Sequence, residues 1–390
     1  MRSRMLVFFL AVVLITSNPT SLMAENLIVR CTGGLNVVQA VCRIIGCSVV
    51  RGLDDPLSQL FLVSLPNALS RLPILQSFGR AIGITNIELD QPLNVLRDHS
   101  SPIQSTASAY GNQPASTVVR AAEARRSFGA GGRAVVAVID TGVDGDHPAL
   151  QGSIVPGYDY TRNEGGWASE TADVSQSTAA VLDGPPFAAF GHGTMVAGIV
   201  HMVAPQAMIM SLKTFRSDGS GYLSDIVRAI YRAADSARII NMSFSTPDYS
   251  AELDRALQFA ASKDVISVSS AGNDGRSMLV YPAALSTTLG IASTDYADRR
   301  SSFSNYGQDL VSLAAPGETI TSTFPYRAYA AGSGTSFSAP FVSGAAALLV
   351  DVRVGLSLQE AGKALSKAKP INSDLGAGRL DIYRALQSLQ

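Results

Sequence analysis

The segment GSGTSFSAPFVSGAAALLV, Gly332 to Val350, joins a glycine-containing turn to a long apolar run. The apolar pattern from Phe337 to Leu349 predicts a buried helix that starts just after Ser336. Pro340 fits there because the first turn of a helix has no intrahelical N–H bonds to lose. The Ser336 hydroxyl then lies beside unpaired helix N–H groups, which stabilise a developing negative charge. Alone, the pattern describes an ordinary turn and N-cap equally well.

Three other segments place reactive side chains at the ends of apolar runs. AVVAVIDTG ends a predicted buried strand on Asp140, FGHGTMVAGIV puts His192 at the start of a predicted helix, and SVSSAGNDG leads a strand pattern to Asn273. Singly, these residues read as a turn aspartate, an exposed histidine and an Asn-Asp-Gly turn. With Ser336 they supply a nucleophile, its base, a carboxylate for the imidazole and an amide donor for an oxyanion.

The chain order Asp140, His192, Asn273, Ser336 resembles that of the subtilisin-like serine proteases. The resemblance extends over residues 111–390, where further matching segments are IINMSFS, YPAAL, SSFSNYG, LAAPG and GAGRLDIYRAL. It implies an Asp140–His192–Ser336 triad, with Asn273 and the Ser336 backbone N–H as the oxyanion hole. It also implies an α/β fold, a subtilisin-like parallel sheet with helices on both faces.

The resemblance also implies that substrate binds as an extended strand between two segments of this chain. The matching residues are Ser243, Phe244, Ser245, Ser270, Ala271 and Gly272. Many family members have glycine where this chain has Ser245. We therefore expect a narrower primary pocket that favours small or medium side chains before the scissile bond.

No cofactor or metal is expected to be required. Many secreted members insert a calcium-binding loop after the histidine helix, whereas Ile199–Pro205 runs straight through here, so this calcium site is expected to be missing. The acids Glu164, Glu170 and Asp173 lack metal-ligand spacing, and their polar surroundings predict a solvated surface loop.

The N-terminus, residues 1–24, has two arginines, an apolar run from Leu6 to Ile15 and a small residue at Ala24. This pattern predicts a secretory signal peptide cleaved after Ala24, because the apolar run is too short to span a bilayer. We therefore expect a secreted protein, extracellular or periplasmic, that retains no stable membrane span.

Residues 25–96 predict a separate unit with the order strand, helix, strand, strand, helix, strand, which is the ferredoxin-like split βαβ arrangement. Beside a subtilisin-like domain, this unit resembles the family's propeptide, a folding chaperone and inhibitor; an independent accessory domain is the alternative. Its predicted elements are Leu27–Cys31, Leu35–Ile45, Ser48–Arg51, Leu60–Ser64, Ala68–Ile82 and Ile84–Leu89.

All three cysteines, Cys31, Cys42 and Cys47, lie in this unit. A secreted protein could form one disulfide and keep one thiol, and the spacing does not choose the pair.

Residues 97–116 are rich in Ser, Gln, Pro and Ala and predict a linker with a processing site, for which Tyr110–Gly111 is one candidate. Residues 117–390 form the catalytic domain. Its predicted strands are Val135–Asp140, Met208–Thr214, Ile239–Ser243, Val265–Ser269, Leu289–Ala292 and Leu310–Ala314. Its predicted helices are Val118–Phe128, Gly193–Val203, Leu223–Ala234, Ala251–Ser262, Phe337–Val352, Leu358–Ala368 and Leu380–Leu389.

The formal net charge of −1 implies no nucleic-acid partner. An esterase would need Gly-x-Ser-x-Gly, but Ser338 occupies the last glycine position. The sequence thus predicts a secreted serine endopeptidase, made as a self-processing zymogen, that acts on proteins or peptides, binds its own propeptide and is a monomer. The alternative is a catalytically silent binding protein on the same fold.

Overall fold

The computed structural model describes residues 24–55, 57–66, 79, 83–95, 103–179 and 187–390. The predicted signal peptide, apart from Ala24, and the predicted helix Ala68–Ile82, apart from Gly79, lie outside the described residues.

The N-terminal unit contains a four-stranded antiparallel sheet of order β2-β3-β1-β4. This is the strand order of the ferredoxin-like arrangement that the sequence predicts. A small apolar core lies between the sheet and its first helix. The described elements are β1 (Ala24–Cys31), α1 (Gly34–Ile45), β2 (Ser48–Gly52), β3 (Leu60–Pro66) and β4 (Ile84–Leu89).

The cysteine pairing that the sequence left open is resolved. Cys42, in α1, forms a disulfide with Cys47, just after the helix ends. Gly46 lies between them in the left-handed conformation, with a φ of 76°, which lets the chain turn back sharply. Cys31 is a buried free thiol in the core of the same unit.

The second unit is built on an eight-stranded sheet of order β15-β14-β13-β12-β7-β10-β8-β9. Its elements, with two strands that precede it, are β5 (Pro92–Asn94), β6 (Ile103–Ser105), α2 (Ala107–Asn112), α3 (Pro114–Val118), α4 (Ala121–Phe128), β7 (Val135–Asp140), β8 (Ile154–Asp159), β9 (Glu164–Gly166), α5 (Gln176–Ala179), α6 (His192–Val203), β10 (Met208–Lys213), β11 (Ser220–Tyr222), α7 (Leu223–Ser236), β12 (Ile239–Met242), α8 (Ala251–Ser262), β13 (Ile266–Ser270), β14 (Leu289–Thr294), β15 (Leu313–Pro316), β16 (Ile320–Phe324), β17 (Ala328–Gly332), α9 (Thr335–Val352), α10 (Leu358–Leu365) and α11 (Ile382–Gln387).

All neighbouring strands of this sheet are parallel except β9, which is antiparallel to β8. One apolar core on one face includes side chains of α4, α6, α9, α10 and α11, and a second core includes those of α7 and α8. The prediction of a parallel sheet covered by helices on both faces is confirmed. Parallel strands buried in this way explain the continuous apolar run of β7.

The helix α9 lies inside the first core with nearly every side chain buried. Within the described residues it is the one helix long and apolar enough to cross a bilayer by length and composition, and its burial identifies it as a core helix of this domain. It starts at Thr335, two residues before the predicted start at Phe337, so Ser336 is the second residue of the helix.

Regular structure begins earlier than the sequence predicts in the segment 97–116. From Ile103 onward the chain pairs β6 with β17 and then forms α2 and α3. The helix predicted from Val118 starts at Ala121 instead, because Arg120 adopts a φ of 60° and interrupts it.

A core substitution tests the importance of α9 packing. Phe341→Ala removes a fully buried ring from this helix, so we expect the free energy of unfolding to fall by about 3–5 kcal/mol in a urea titration. Val354 is 90% exposed just beyond α9, and Val354→Ala should change that energy by less than about 0.5 kcal/mol. Equal losses in the two variants would contradict this assignment of the core.

Candidate functional site

Asp140 and His192 meet at the carboxyl edge of the sheet. Asp140 is the last residue of β7, and His192 is the first residue of α6. The carboxylate Oδ1 lies 2.7 Å from the imidazole Nδ1, and both side chains are buried. An ionised carboxylate can only accept, so Nδ1 carries the hydrogen and the imidazole is held in one tautomer.

The glycines beside His192 are required by close packing. A Cβ on Gly191 would lie 2.0 Å from the Phe324 ring, and one on Gly193 would lie 2.2 Å from the Gly142 carbonyl oxygen. Gly191 also has a φ of 89°, a conformation that side-chain-bearing residues rarely adopt. The Gly-His-Gly pattern therefore brings α6 close enough to β7 for the contact between His192 and Asp140.

The pKa of His192 lies above its usual value. Burial alone would favour the neutral imidazole, but the charge of Asp140, its hydrogen bond and the more distant charge of Glu170 outweigh that penalty. The site is thus suited to hold a proton on this imidazole after a proton transfer.

Ser336 lies at the N-terminus of α9, where the first turn leaves backbone N–H groups without helical partners. Its hydroxyl lies 3.0 Å from the Ser243 carbonyl oxygen, and its own carbonyl accepts a 2.8 Å bond from the Ser243 hydroxyl. The next residue, Phe337, packs its ring against the His192 imidazole, with ring centroids 5.7 Å apart. These contacts bring the N-termini of α6 and α9 together.

Asn273 follows β13 and has only 8% of its surface exposed. Its Oδ1 accepts two 2.9 Å bonds, from the backbone N–H and the hydroxyl of Thr335. The side-chain oxygen is therefore committed to the residue before Ser336. The NH₂ arm of the amide is therefore directed away from Thr335.

The two predicted substrate segments lie at the same edge of the sheet. Ser243-Phe244-Ser245 follows β12, and Ser270-Ala271-Gly272 begins at the end of β13, its parallel neighbour. A Cβ on Gly272 would lie 3.2 Å from the Ser245 hydroxyl oxygen, so these two residues face each other. The expectation that Ser245 narrows a substrate pocket stays a prediction.

The sequence pattern does not predict the short strand β11. It pairs antiparallel with β5, the strand that ends the N-terminal unit, with Gly221 opposite Leu93. Three residues are too few for an alternating pattern, so periodicity could not find this strand. The only signal was the turn-forming Asp218-Gly219 pair before it.

The prediction of a solvated loop is wrong for Glu170. Its side chain is 1% exposed and contacts the residues around His192, whereas Glu164 is exposed as expected. Asp173, half-buried, pairs at 2.6 Å with Lys213, which is fully buried at the end of β10. The polar residues around Glu170 in the sequence predict exposure, whereas the fold places its side chain against the first turn of α6.

No group of three or more His, Cys, Asp or Glu side chains in the described residues could hold a metal ion. The helix α6 continues without interruption to Val203. The calcium expectation stays a prediction.

Comparisons with known proteins identify the family and the fold. The model of the Subtilase family (Peptidase S8) matches residues 131–375. Thermitase of Thermoactinomyces vulgaris is 35% identical over 272 residues, which are 66% of this chain and 90% of thermitase. The thermophilic serine proteinase of Bacillus sp. (strain AK1) is 35% identical over 264 residues, 64% of this chain and 61% of that protein.

Two solved structures share the fold. Fervidolysin from Fervidobacterium pennivorans, described as a keratinolytic enzyme related to subtilisin, matches with a TM-score of 0.75 and 23% identity over 95% of this chain and 62% of its own. A lanthipeptide protease matches with a TM-score of 0.63 and 22% identity over 75% of this chain and 100% of its own. At these identities they support the fold alone.

The family match covers more than half of the chain, so this protein belongs to the subtilase family. It is a serine endopeptidase, and its substrates are proteins or peptides.

An NMR titration tests the electrostatics of His192. We expect the pKa of this imidazole to lie above the ordinary histidine value in the wild type and to be lower in Asp140→Asn, because burial remains when the carboxylate charge is lost. His147 serves as an internal control, since burial lowers its pKa and Asp140 is not among the groups that act on it. An unchanged His192 titration in Asp140→Asn would contradict this account.

Proposed function

We propose that this chain hydrolyses peptide bonds through Asp140, His192 and Ser336, with an acyl-enzyme intermediate. The observation that carries the proposal is the 2.7 Å contact between Asp140 and His192 next to the N-terminus of α9, where Ser336 lies. A catalytically silent binding protein would have no need to hold one imidazole tautomer beside that serine.

In the proposed first step, the Ser336 Oγ attacks the scissile carbonyl carbon while Nε2 of His192 takes the hydroxyl proton. Asp140 stabilises the imidazolium that forms. Asn273 and the Ser336 backbone N–H stabilise the oxyanion. The imidazolium then protonates the leaving amine, and water releases the acyl group by the same proton transfers in reverse order.

The primary pocket is proposed to be bordered by Ser245 and Gly272. Since the Ser245 hydroxyl occupies the space beside Gly272, we expect small or medium side chains to be preferred over bulky aromatic ones.

A fluorophosphonate probe tests the nucleophile. Wild-type protein should be labelled, and Ser336→Ala should not be, because the probe bonds to the activated hydroxyl. Ser338→Ala is the matched control, since Ser338 lies on the same helix but its hydroxyl donates to the Pro316 carbonyl. Labelling of Ser336→Ala, or loss of labelling in Ser338→Ala alone, would contradict the assignment; mass spectrometry of the labelled peptide identifies the modified serine.

We propose further that the N-terminal unit is a propeptide that assists folding and inhibits the enzyme. It contributes carboxylates to the N-termini of two helices of the catalytic domain, positions at which the helix dipole favours negative charge. Glu88 accepts a 2.6 Å bond from the Ser250 hydroxyl at α8, and Asp90 accepts a 2.8 Å bond from the Ser224 N–H at α7. Such contacts would order both helices during folding.

A buried ion pair adds to this interface. Arg30 of β1 lies 2.8 Å from Glu252 of α8, and Asn86 of β4 donates a 2.9 Å bond to the same carboxylate. Glu252 is fully buried, so its charge has little access to water while the N-terminal unit is in place. Withdrawal of that unit would remove Arg30 and Asn86 as partners of this charge.

The end of the N-terminal unit pairs with a short strand of the catalytic domain in the way an extended peptide would. The strand β5 pairs with β11, and the Val95 N–H donates a 2.9 Å bond to the Gly219 carbonyl. Leu93 and Val95 are buried in the apolar core of the catalytic domain. This is the backbone pairing by which an extended substrate binds to an exposed edge strand.

Processing is therefore proposed to occur within residues 96–102, directly after this strand. The candidate bond Tyr110–Gly111 lies inside α2, and the Tyr110 hydroxyl donates a 2.7 Å bond to the Gly198 carbonyl. A helical segment cannot pair as an extended strand in the active site.

The masses of the secreted products test this cut. Wild-type protein should yield a mature form that begins within residues 97–103. Ser336→Ala should retain the N-terminal unit when it is incubated without added protease. A mature form that begins at Gly111 would contradict the assignment. Wild-type enzyme added to Ser336→Ala shows whether the cut can also be made in trans.

Secretion is proposed on the pattern of residues 1–24 and agrees with the Cys42–Cys47 disulfide, since disulfides persist in oxidising compartments. We expect the mature enzyme to be a monomer that requires no cofactor.

A further inference from the structure

Glu170 is a buried carboxylate that the proposed reaction does not yet use. It lies on the single-turn helix Glu170–Ala172, between β9 and α6. Its Oε1 accepts a 3.0 Å bond from the Gly191 N–H, and its Oε2 accepts a 3.2 Å bond from the Thr194 N–H. Each oxygen also accepts from a hydroxyl, Oε1 from Thr141 and Oε2 from Thr194. Four donors converging on two buried oxygens are arranged for an anion.

These donors flank both of the residues that form the acid-base pair. Gly191 directly precedes His192, and Thr194 follows it by two positions in the first turn of α6. Thr141 directly follows Asp140, and its hydroxyl oxygen accepts a 2.9 Å bond from the Gly193 N–H. Glu170 therefore connects the end of β7 to the start of α6 on either side of the Asp140–His192 contact.

Burial has the largest effect on Glu170 and raises its pKa to about 7. The hydrogen bonds from Thr141 and Thr194 and the charge of Lys213 on β10 oppose this rise, and the charge of Asp140 on β7 adds to it. The Lys213 ammonium donates to the Thr141 and Phe215 carbonyls and pairs with Asp173. The charge of Glu170 in turn raises the pKa of His192, after the larger effects of burial and of Asp140.

We propose that Glu170 is a positioning residue for peptide-bond hydrolysis: it fixes His192 against Asp140 through the first turn of α6 and favours the imidazolium by its charge. This inference rests on the proposed function of His192 as the general base. Glu170 touches no reacting atom, so its loss should lower kcat with little effect on KM.

Two variants separate charge from position. Glu170→Gln keeps the size but removes the charge and places an NH₂ group against an N–H donor. We expect kcat to fall at least about tenfold with KM within about twofold, and the acid limb of kcat/KM to move down by about 0.5–1 pH unit. The direction follows because a lost negative charge lowers the pKa of a nearby imidazole.

Glu170→Asp keeps the charge but is one methylene shorter, so it cannot reach all four donors. We expect its acid limb to stay near the wild-type position while kcat falls. The matched control is Glu164→Gln, which removes an exposed acid of the preceding strand β9 and should change neither kcat nor the pH profile. Thermal unfolding of each protein shows whether it is folded. If Glu170→Gln does not fold, the kcat of Glu170→Asp tests the positioning role instead.

Several outcomes would overturn the proposal. If the acid limb of kcat/KM in Glu170→Gln stays at its wild-type position, whether or not kcat is lower, Glu170 has only a structural role and the proposal is wrong. Wild-type kcat in Glu170→Asp would contradict the positioning. A folded but inactive wild-type enzyme would instead refute the proposed function itself, and the two failures are therefore distinguishable.

Discussion

The contact between the Asp140 carboxylate and the His192 imidazole is the interaction around which the site is arranged. Removing a carboxylate from water is costly unless hydrogen bonds and a complementary charge replace the solvent. Here the Thr141 N–H and the imidazole supply those partners at 2.8 and 2.7 Å. Because β7 is central in the sheet and α6 is held against it, the position of the pair is set by two of the most deeply buried elements of the domain.

The close approach of helices and strands depends on small side chains. Gly198 of α6 would place a Cβ 2.2 Å from the Thr323 hydroxyl oxygen, and Gly344 of α9 would place one 2.6 Å from the Val203 Cβ. These glycines reduce helix propensity in two long helices. Their small size in return lets α6 and α9 pack closely enough to bring Ser336 and His192 to one edge of the sheet.

The sequence predicts the main elements well because their apolar periodicity has a direct physical cause. The limits of α8 and of β7 are both predicted to the residue. An N-cap serine precedes α8, and a continuous apolar run forms β7. Strands such as β11 and β16 were missed because their pairing depends on distant partners, not on local pattern. The site residues could be selected by chemistry and chain order, whereas the burial of Glu170 depends on how a loop folds and leaves no mark in the sequence.

All three cysteines lie before the proposed processing region, and the one cross-link joins Cys42 to Cys47. On the proposed scheme, the disulfide therefore leaves with the propeptide, and residues 103–390 contain no sulfhydryl group. Thiols and oxidants in the surroundings would then act on the cysteines of the precursor and so on its folding. After maturation, residues 103–390 offer such reagents no cysteine.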